Sequence, residues 1–223
     1  MTGKIAASGN IMSLLNGTEQ ITELTENNSK CFLLLFQGCS SLTQAPELPA
    51  TTLASYCYYG MFANCTSLTQ APELPAETLD VYCYRYMFYG CSSLTKAPEL
   101  PAMTLYYGCY YGMFYGCTAL NNINANFSAW DATDATTNWL NGVAAEGTFT
   151  CPITLPDTPR DASHIPEGWT IQRKEQTQQN TLLATPQVKS TPLQCSNDLF
   201  KANSISTTIV PLNTLTAIPS YGF

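Results

Sequence analysis

The chain has 223 residues, 45% hydrophobic, 11% aromatic and 11% charged, with a formal net charge of -7. Soluble domains usually carry about 25% charged residues, so this chain is poor in charge. Yet its longest purely apolar run, Cys31 to Phe36, falls far short of the roughly 20 residues a membrane-spanning helix needs. The plentiful apolar and aromatic residues exclude a wholly disordered chain. The acidic balance argues against nucleic acid as a partner, and a single histidine, His164, leaves little room for histidine-dependent catalysis.

The N-terminus, MTGKIAASGNIMSLL, lacks the basic stretch and apolar core of a signal peptide. Residues 1–30 are expected to form an N-terminal cap, because a tandem repeat begins at Cys31. Cys39, Cys65, Cys91 and Cys117 keep one constant step, and so do Cys31, Cys57, Cys83 and Cys109. The phrase SLTQAPELPA runs from Ser41 to Ala50 and from Ser67 to Ala76, then recurs as SLTKAPELPA from Ser93 to Ala102. Between these phrases lie YCYYGMFANC (Tyr56–Cys65), YCYRYMFYGC (Tyr82–Cys91) and GCYYGMFYGC (Gly108–Cys117).

A period in the range of about 20–50 residues marks a solenoid, propeller or array, and this one suits a single solenoid coil. Cys57, Met61 and Cys65 fall at i, i+4 and i+8, which predicts a short helix with one inward stripe. Pro72 and Pro75 forbid helix in the other half. Leu68 to Leu74 is therefore expected to be extended, pairing in parallel around Leu68–Gln70 and bending at Pro72. The predicted fold class is α/β: a solenoid over residues 31–120 with short parallel strands and short helices. The first coil is degenerate, with Phe32, Leu33 and Leu34 in place of tyrosines, as suits a coil packed under a cap.

After Leu120 the pattern dissolves, and residues 121–174 read as a C-terminal cap. Asp134 to Leu140 looks like a capped helix that Gly142 or Gly147 ends. Thr148–Cys151 and Trp169–Arg173 look like strands. From Glu175 the composition turns to Thr, Gln, Ser and Pro, so residues 175–223 are expected to be a separate low-complexity tail.

The string Met-Phe-x-x-Cys-x-x-Leu (Met61–Leu68, Met87–Leu94), followed by Ala-Pro-x-Leu-Pro, resembles the BspA-like leucine-rich repeats of Bacteroidetes surface proteins. Ser8–Met12 and Ile165–Thr170 look like the flanks of such arrays, so the resemblance covers about residues 9–174. It implies a right-handed leucine-rich-repeat solenoid, agreeing with the handedness of parallel crossovers, and a cell-surface role in adhesion or host interaction. The period is longer than the family's usual one, and Ala71-Pro72-Glu73-Leu74 stands where Ile-x-Leu is expected.

Three residue sets carry candidate chemistry. The cysteines lack zinc spacing. On helices about 8–10 Å apart they are also too distant to bridge, since a disulfide needs Cα atoms within about 4.4–6.8 Å. They are expected to be free, buried thiols. Glu47, Glu73 and Glu99 occupy one place in successive coils and should form a solvated acidic rim. Twelve of the thirteen tyrosines lie between Tyr56 and Tyr115. Tyr58, Tyr84 and Tyr110 align, and Tyr59 and Tyr111 align with Arg85. With hydroxyls reaching water, these six residues would either seal the helix layer over the core as packing or make a row suited to sugar rings or a protein partner.

No nucleophile–base pair or calcium loop is recognisable, and no catalytic residue, metal site or cofactor is assigned. The expected function is a non-enzymatic scaffold that binds a protein or glycan. The second expectation is a virion-associated structural or fibre protein of a gut bacteriophage.

Overall fold

A computed structural model of the protein describes residues 3–17 and 20–174, all within one compact unit, Met1–Gln179. The predicted tail, 175–223, lies outside the described residues. The unit is a solenoid of stacked coils with parallel strands and little helix. The regular elements are β1 (Ile5–Ala6), α1 (Ser13–Asn16), a 3-10 turn at Glu26–Asn28, β2 (Leu42–Gln44), β3 (Lys96–Leu100), β4 (Asn122–Ala125), β5 (Gly147–Pro152) and β6 (Trp169–Lys174). β1 pairs with β2, and β3 to β6 form a four-stranded parallel sheet in chain order. The two strands predicted in the C-terminal part are β5 and β6, in register from Gly147↔Trp169 to Pro152↔Lys174.

The predicted short helices are corrected. Tyr56–Cys65 and its counterparts are ribbons of overlapping β-turns. Odd-numbered residues donate three residues back: Tyr59 N–H to Tyr56 C=O at 3.2 Å, Met61 to Tyr58 at 3.2 Å and Ala63 to Gly60 at 3.0 Å. Even-numbered residues donate to the next coil instead. Tyr58 N–H reaches Cys83 C=O at 3.0 Å, Gly60 reaches Arg85 at 2.8 Å and Phe62 reaches Met87 at 2.9 Å. Because the period is an even number of residues, this odd–even division is the same in every coil. The predicted helix at 134–140 is another such ribbon, taking bonds from Tyr110, Gly112 and Phe114.

Packing explains why the ribbon replaces a helix. Parallel strands stack about 4.7–4.9 Å apart, whereas packed helices need about 8–10 Å. The ribbon's cross-coil hydrogen bonds hold the turn side at ladder spacing. The conformational signature is a left-handed residue at every fourth position: Tyr56, Gly60 and Asn64 (φ 56, 56 and 62), then Tyr82, Tyr86 and Gly90 (φ 53, 55 and 69). A tyrosine at positive φ is strained, and here its ring covers a glycine of the following coil. Tyr82 lies over Gly108 and Tyr86 over Gly112, so closely that a Cβ on either glycine would run into the ring.

With two residues in and two out, the inward stripe is doubled. Cys57 and Tyr58, and Met61 and Phe62, are all buried. Phe36, Phe62, Phe88 and Phe114 stack in one column at 5.5, 5.7 and 5.7 Å between ring centroids. Phe32, Tyr58, Tyr84 and Tyr110 stack in a second at 5.6, 5.8 and 5.9 Å. The leucines of the extended half, including Leu68, Leu74, Leu94 and Leu100, close the core from the other side.

The extended half is more irregular than predicted. Leu68–Leu74 forms no named strand and keeps a single bridge, Gln70↔Lys96. Proline removes ladder donors, and each phrase carries two. The phrase of the following coil is nevertheless a strand, β3, because β4 pairs with it through Glu99↔Asn124 and Leu100↔Ala125.

Candidate binding face

Among the described residues seven cysteines are buried in the core, whereas Cys31 and Cys39, expected to be buried too, are half-buried at its edge. All nine among the described residues are unpaired, although the helix spacing expected to keep them apart is absent, since the coils lie at ladder distance. In one column each thiol is engaged: the Sγ–H groups of Cys65, Cys91 and Cys117 donate to the carbonyls of Phe36, Phe62 and Phe88 at 3.1, 3.1 and 3.0 Å. Burial pushes the thiols up, Cys31 to about 11 and Cys65, Cys109 and Cys117 to about 12. They are therefore protonated and poorly nucleophilic near neutral pH.

The six tyrosine and arginine positions singled out by the sequence divide into two groups. Tyr58, Tyr84 and Tyr110 are core residues, 1%, 1% and 0% exposed, which corrects the expectation that their hydroxyls reach water. The Tyr58 and Tyr110 hydroxyls find no hydrogen-bond partner in the protein. Tyr59, Arg85 and Tyr111 lie on the outer surface of the ribbon, half-buried. The difference arises because a helix buries one residue in three or four, whereas the ribbon buries adjacent pairs.

Around these three the fold assembles further tyrosines, of which Tyr89 and Tyr115 are also aligned in the sequence and the others were not singled out there. Tyr56 meets Tyr82 at 5.0 Å, Tyr82 meets Tyr107 at 5.0 Å, and Tyr59 meets Tyr86 edge-on at 5.9 Å. Tyr86 meets Tyr111 at 5.4 Å, and Tyr89 stacks on Tyr115 at 5.1 Å. The alignment of Tyr56 with Tyr82, one period apart, was a readable signal for this belt. Tyr106 and Tyr107 are the most open members, at 52% and 41% exposure.

Arg85 occupies the centre of the belt. Its guanidinium carbon lies 4.0 Å from the Tyr111 ring centroid, 4.8 Å from Tyr82 and 4.9 Å from Tyr86. Such cation–π contacts contribute roughly 0.5–2 kcal/mol each, depending on desolvation. Among the described residues the salt bridges are His164–Asp161 and Arg173–Asp157, so Arg85 has aromatic neighbours but no carboxylate partner. Its Nε is buried without a hydrogen-bond partner. The face thus offers rigid amphipathic rings around one cation.

On the opposite face Glu47, Glu73 and Glu99 are exposed, and Asn124 Nδ2 donates to Glu99 at 3.1 Å. Among the described residues no helix is long and apolar enough to cross a membrane. Compared with known proteins, the chain matches no family model, no curated protein and no solved structure.

Proposed function

We propose that this protein is a non-enzymatic repeat scaffold that binds a protein or glycan ligand through its tyrosine belt. On this reading it is a relative of the BspA-like leucine-rich-repeat proteins, working in adhesion or host interaction at a cell surface. The observation that carries the proposal is the continuous outer belt, Tyr56 to Tyr115, centred on an arginine without an acidic partner. Tyrosine suits such a role because it supplies a large contact area at low entropic cost. The contact residues are Tyr59, Arg85 and Tyr111, with Tyr82, Tyr86 and Tyr107 beside them; Tyr58, Tyr84 and Tyr110 support the ribbon from within.

A glycan array and a panel of matrix proteins, probed with the wild-type chain and with Tyr107→Ala and Arg85→Ala, test this. Tyr107→Ala should keep the wild-type melting temperature within a few degrees, Arg85→Ala should lower it further through its lost ring contacts while staying folded at the assay temperature, and both should lose the ligand. Retention of every hit by both variants would reject the belt as the binding surface.

A further inference from the structure

One column on the outer side of the turn ribbon changes sign along the stack. Lys30, Tyr56, Tyr82, Gly108 and Asp134 occupy the same position in five successive coils, each with a left-handed backbone, at φ 62, 56, 53, 58 and 55. The first four donate their N–H to the coil that follows. At about 4.7–4.9 Å per coil, the steps from Lys30 to Asp134 span roughly 19 Å.

Neither charged end is neutralised within the chain. Lys30 is exposed, and its ammonium lies over the Tyr56 ring, 5.5 Å from the centroid. Asp134 is exposed and accepts a hydrogen bond from Thr137 Oγ1 at 3.2 Å. The salt bridges among the described residues include neither of them, nor Arg85. Between the two ends lies the tyrosine belt, with Tyr82 at the midpoint of the column.

A surface that is basic at one end, aromatic in the middle and acidic at the other is complementary to itself turned end for end. Isologous dimers are built from such patches. A two-fold axis through Tyr82, perpendicular to the face, brings Lys30 of each copy to Asp134 of the other. Arg85 lies three residues to one side of Tyr82, and half-buried Asp80 lies two residues to the other side. The rotation therefore keeps the two guanidinium groups apart and sets each towards Asp80 of the second copy. Tyr59, one coil before the axis, comes beside Tyr106, one coil after it on the opposite side. Pairing in the parallel sense would set Lys30 against Lys30 and Asp134 against Asp134, which like-charge repulsion disfavours.

We propose, on the reading that the belt is a binding surface, that its protein partner is a second copy of this chain, held face to face in antiparallel register about Tyr82. The rings supply contact area and the end charges fix the register. The net charge of -7 does not oppose this contact locally, because Glu47, Glu73 and Glu99 stand on the opposite face.

Sedimentation equilibrium of the full chain is the test. The wild type should pass from 24.4 kDa to twice that mass as its concentration rises. The symmetry doubles every change, so Lys30→Asp or Asp134→Lys turns two attractions into two repulsions. Each should weaken dimerisation about tenfold or more at low salt and less at high salt. Both sites are exposed, and the column already holds a lysine and an aspartate at positive φ, so both variants should fold. An equimolar mixture of the two should recover the dimer, because one chain then carries acids at both ends and the other carries bases. A monomeric wild type at every concentration, single variants that dimerise as tightly as wild type, or a mixture no more dimeric than its components would each overturn the proposal. A monomeric wild type whose Tyr107→Ala variant still loses its array hits would reject the second copy and keep the belt as a binding surface. A monomeric wild type whose variants retain every hit would reject both.

Discussion

Replacing Gly112 by alanine distinguishes the turn ribbon from a helix by the sign of its effect. On a helix, Gly→Ala stabilises by roughly 0.8–1 kcal/mol. In the ribbon Gly112 has φ 56, a conformation costing an L-residue roughly 1–2 kcal/mol. The new methyl would also drive into the ring of Tyr86, whose atoms fill the site. Tyr86 is held by Tyr111 and Tyr89 at 5.4 and 5.7 Å, so displacing it adds an overpacking cost of about 1–3 kcal/mol. The total is a destabilisation of about 2–5 kcal/mol. At about 2–4 °C per kcal/mol for a domain of this size, the melting temperature should fall by at least about 4 °C.

Gly38→Ala is the internal control. It shares the left-handed backbone, at φ 74, but has nothing within 4 Å of the added Cβ, so it should show the conformational cost alone. Paired thermal melts of the two variants by circular dichroism read both terms. A higher melting temperature for Gly112→Ala would refute the ribbon. Equal losses in the two variants would refute the seating of the tyrosine ring on the glycine.

Two further predictions concern the core. Tyr110→Phe should be neutral or stabilising, because the buried hydroxyl has no protein partner and an unsatisfied buried polar group costs about 1–3 kcal/mol. Phe32 already fills this column in the first coil. Tyr110→Ala should instead cost about 3–5 kcal/mol, and chemical denaturation of both variants checks the pair. The thiols give the pH dependence. Their folded-state values are raised above the ordinary 9.0 to about 11 or 12, so unfolding releases protons once the pH exceeds the unfolded value. Their contribution is fully present below about pH 9 and is lost as the pH climbs towards 12. Melting temperatures followed from pH 7 to 11 should hold and then decline, with alkylation of the seven buried thiols by iodoacetamide slow until the decline begins. Rapid alkylation of Cys91 or Cys117 at neutral pH would contradict their burial.

The repeat and its inward residues were determined by the sequence itself. A constant step places equivalent side chains above one another in any solenoid, so Cys57, Met61, Leu68 and Leu74 were legible as core before any backbone was known, and two terminal strands showed as β-rich runs. The spacing i, i+4, i+8 was ambiguous, because a four-residue turn ribbon and an α-helix both satisfy it. A clue to the ribbon was present in Gly108, Gly112 and Gly116, spaced by four like Gly60 and Asn64, where a helix former would be expected. What only the tertiary structure decided was which partner each backbone amide takes. A helix satisfies its amides internally and keeps its neighbours at a distance. Here half of them are donated to the next coil, because the strand side fixes a spacing too short for packed helices. That one exchange moved Tyr58, Tyr84 and Tyr110 into the core, brought Tyr59, Arg85 and Tyr111 together with Tyr82 and Tyr86 outside it, and set the cysteine columns at ladder distance. It depends on contacts one full coil apart, which no local pattern of residues encodes.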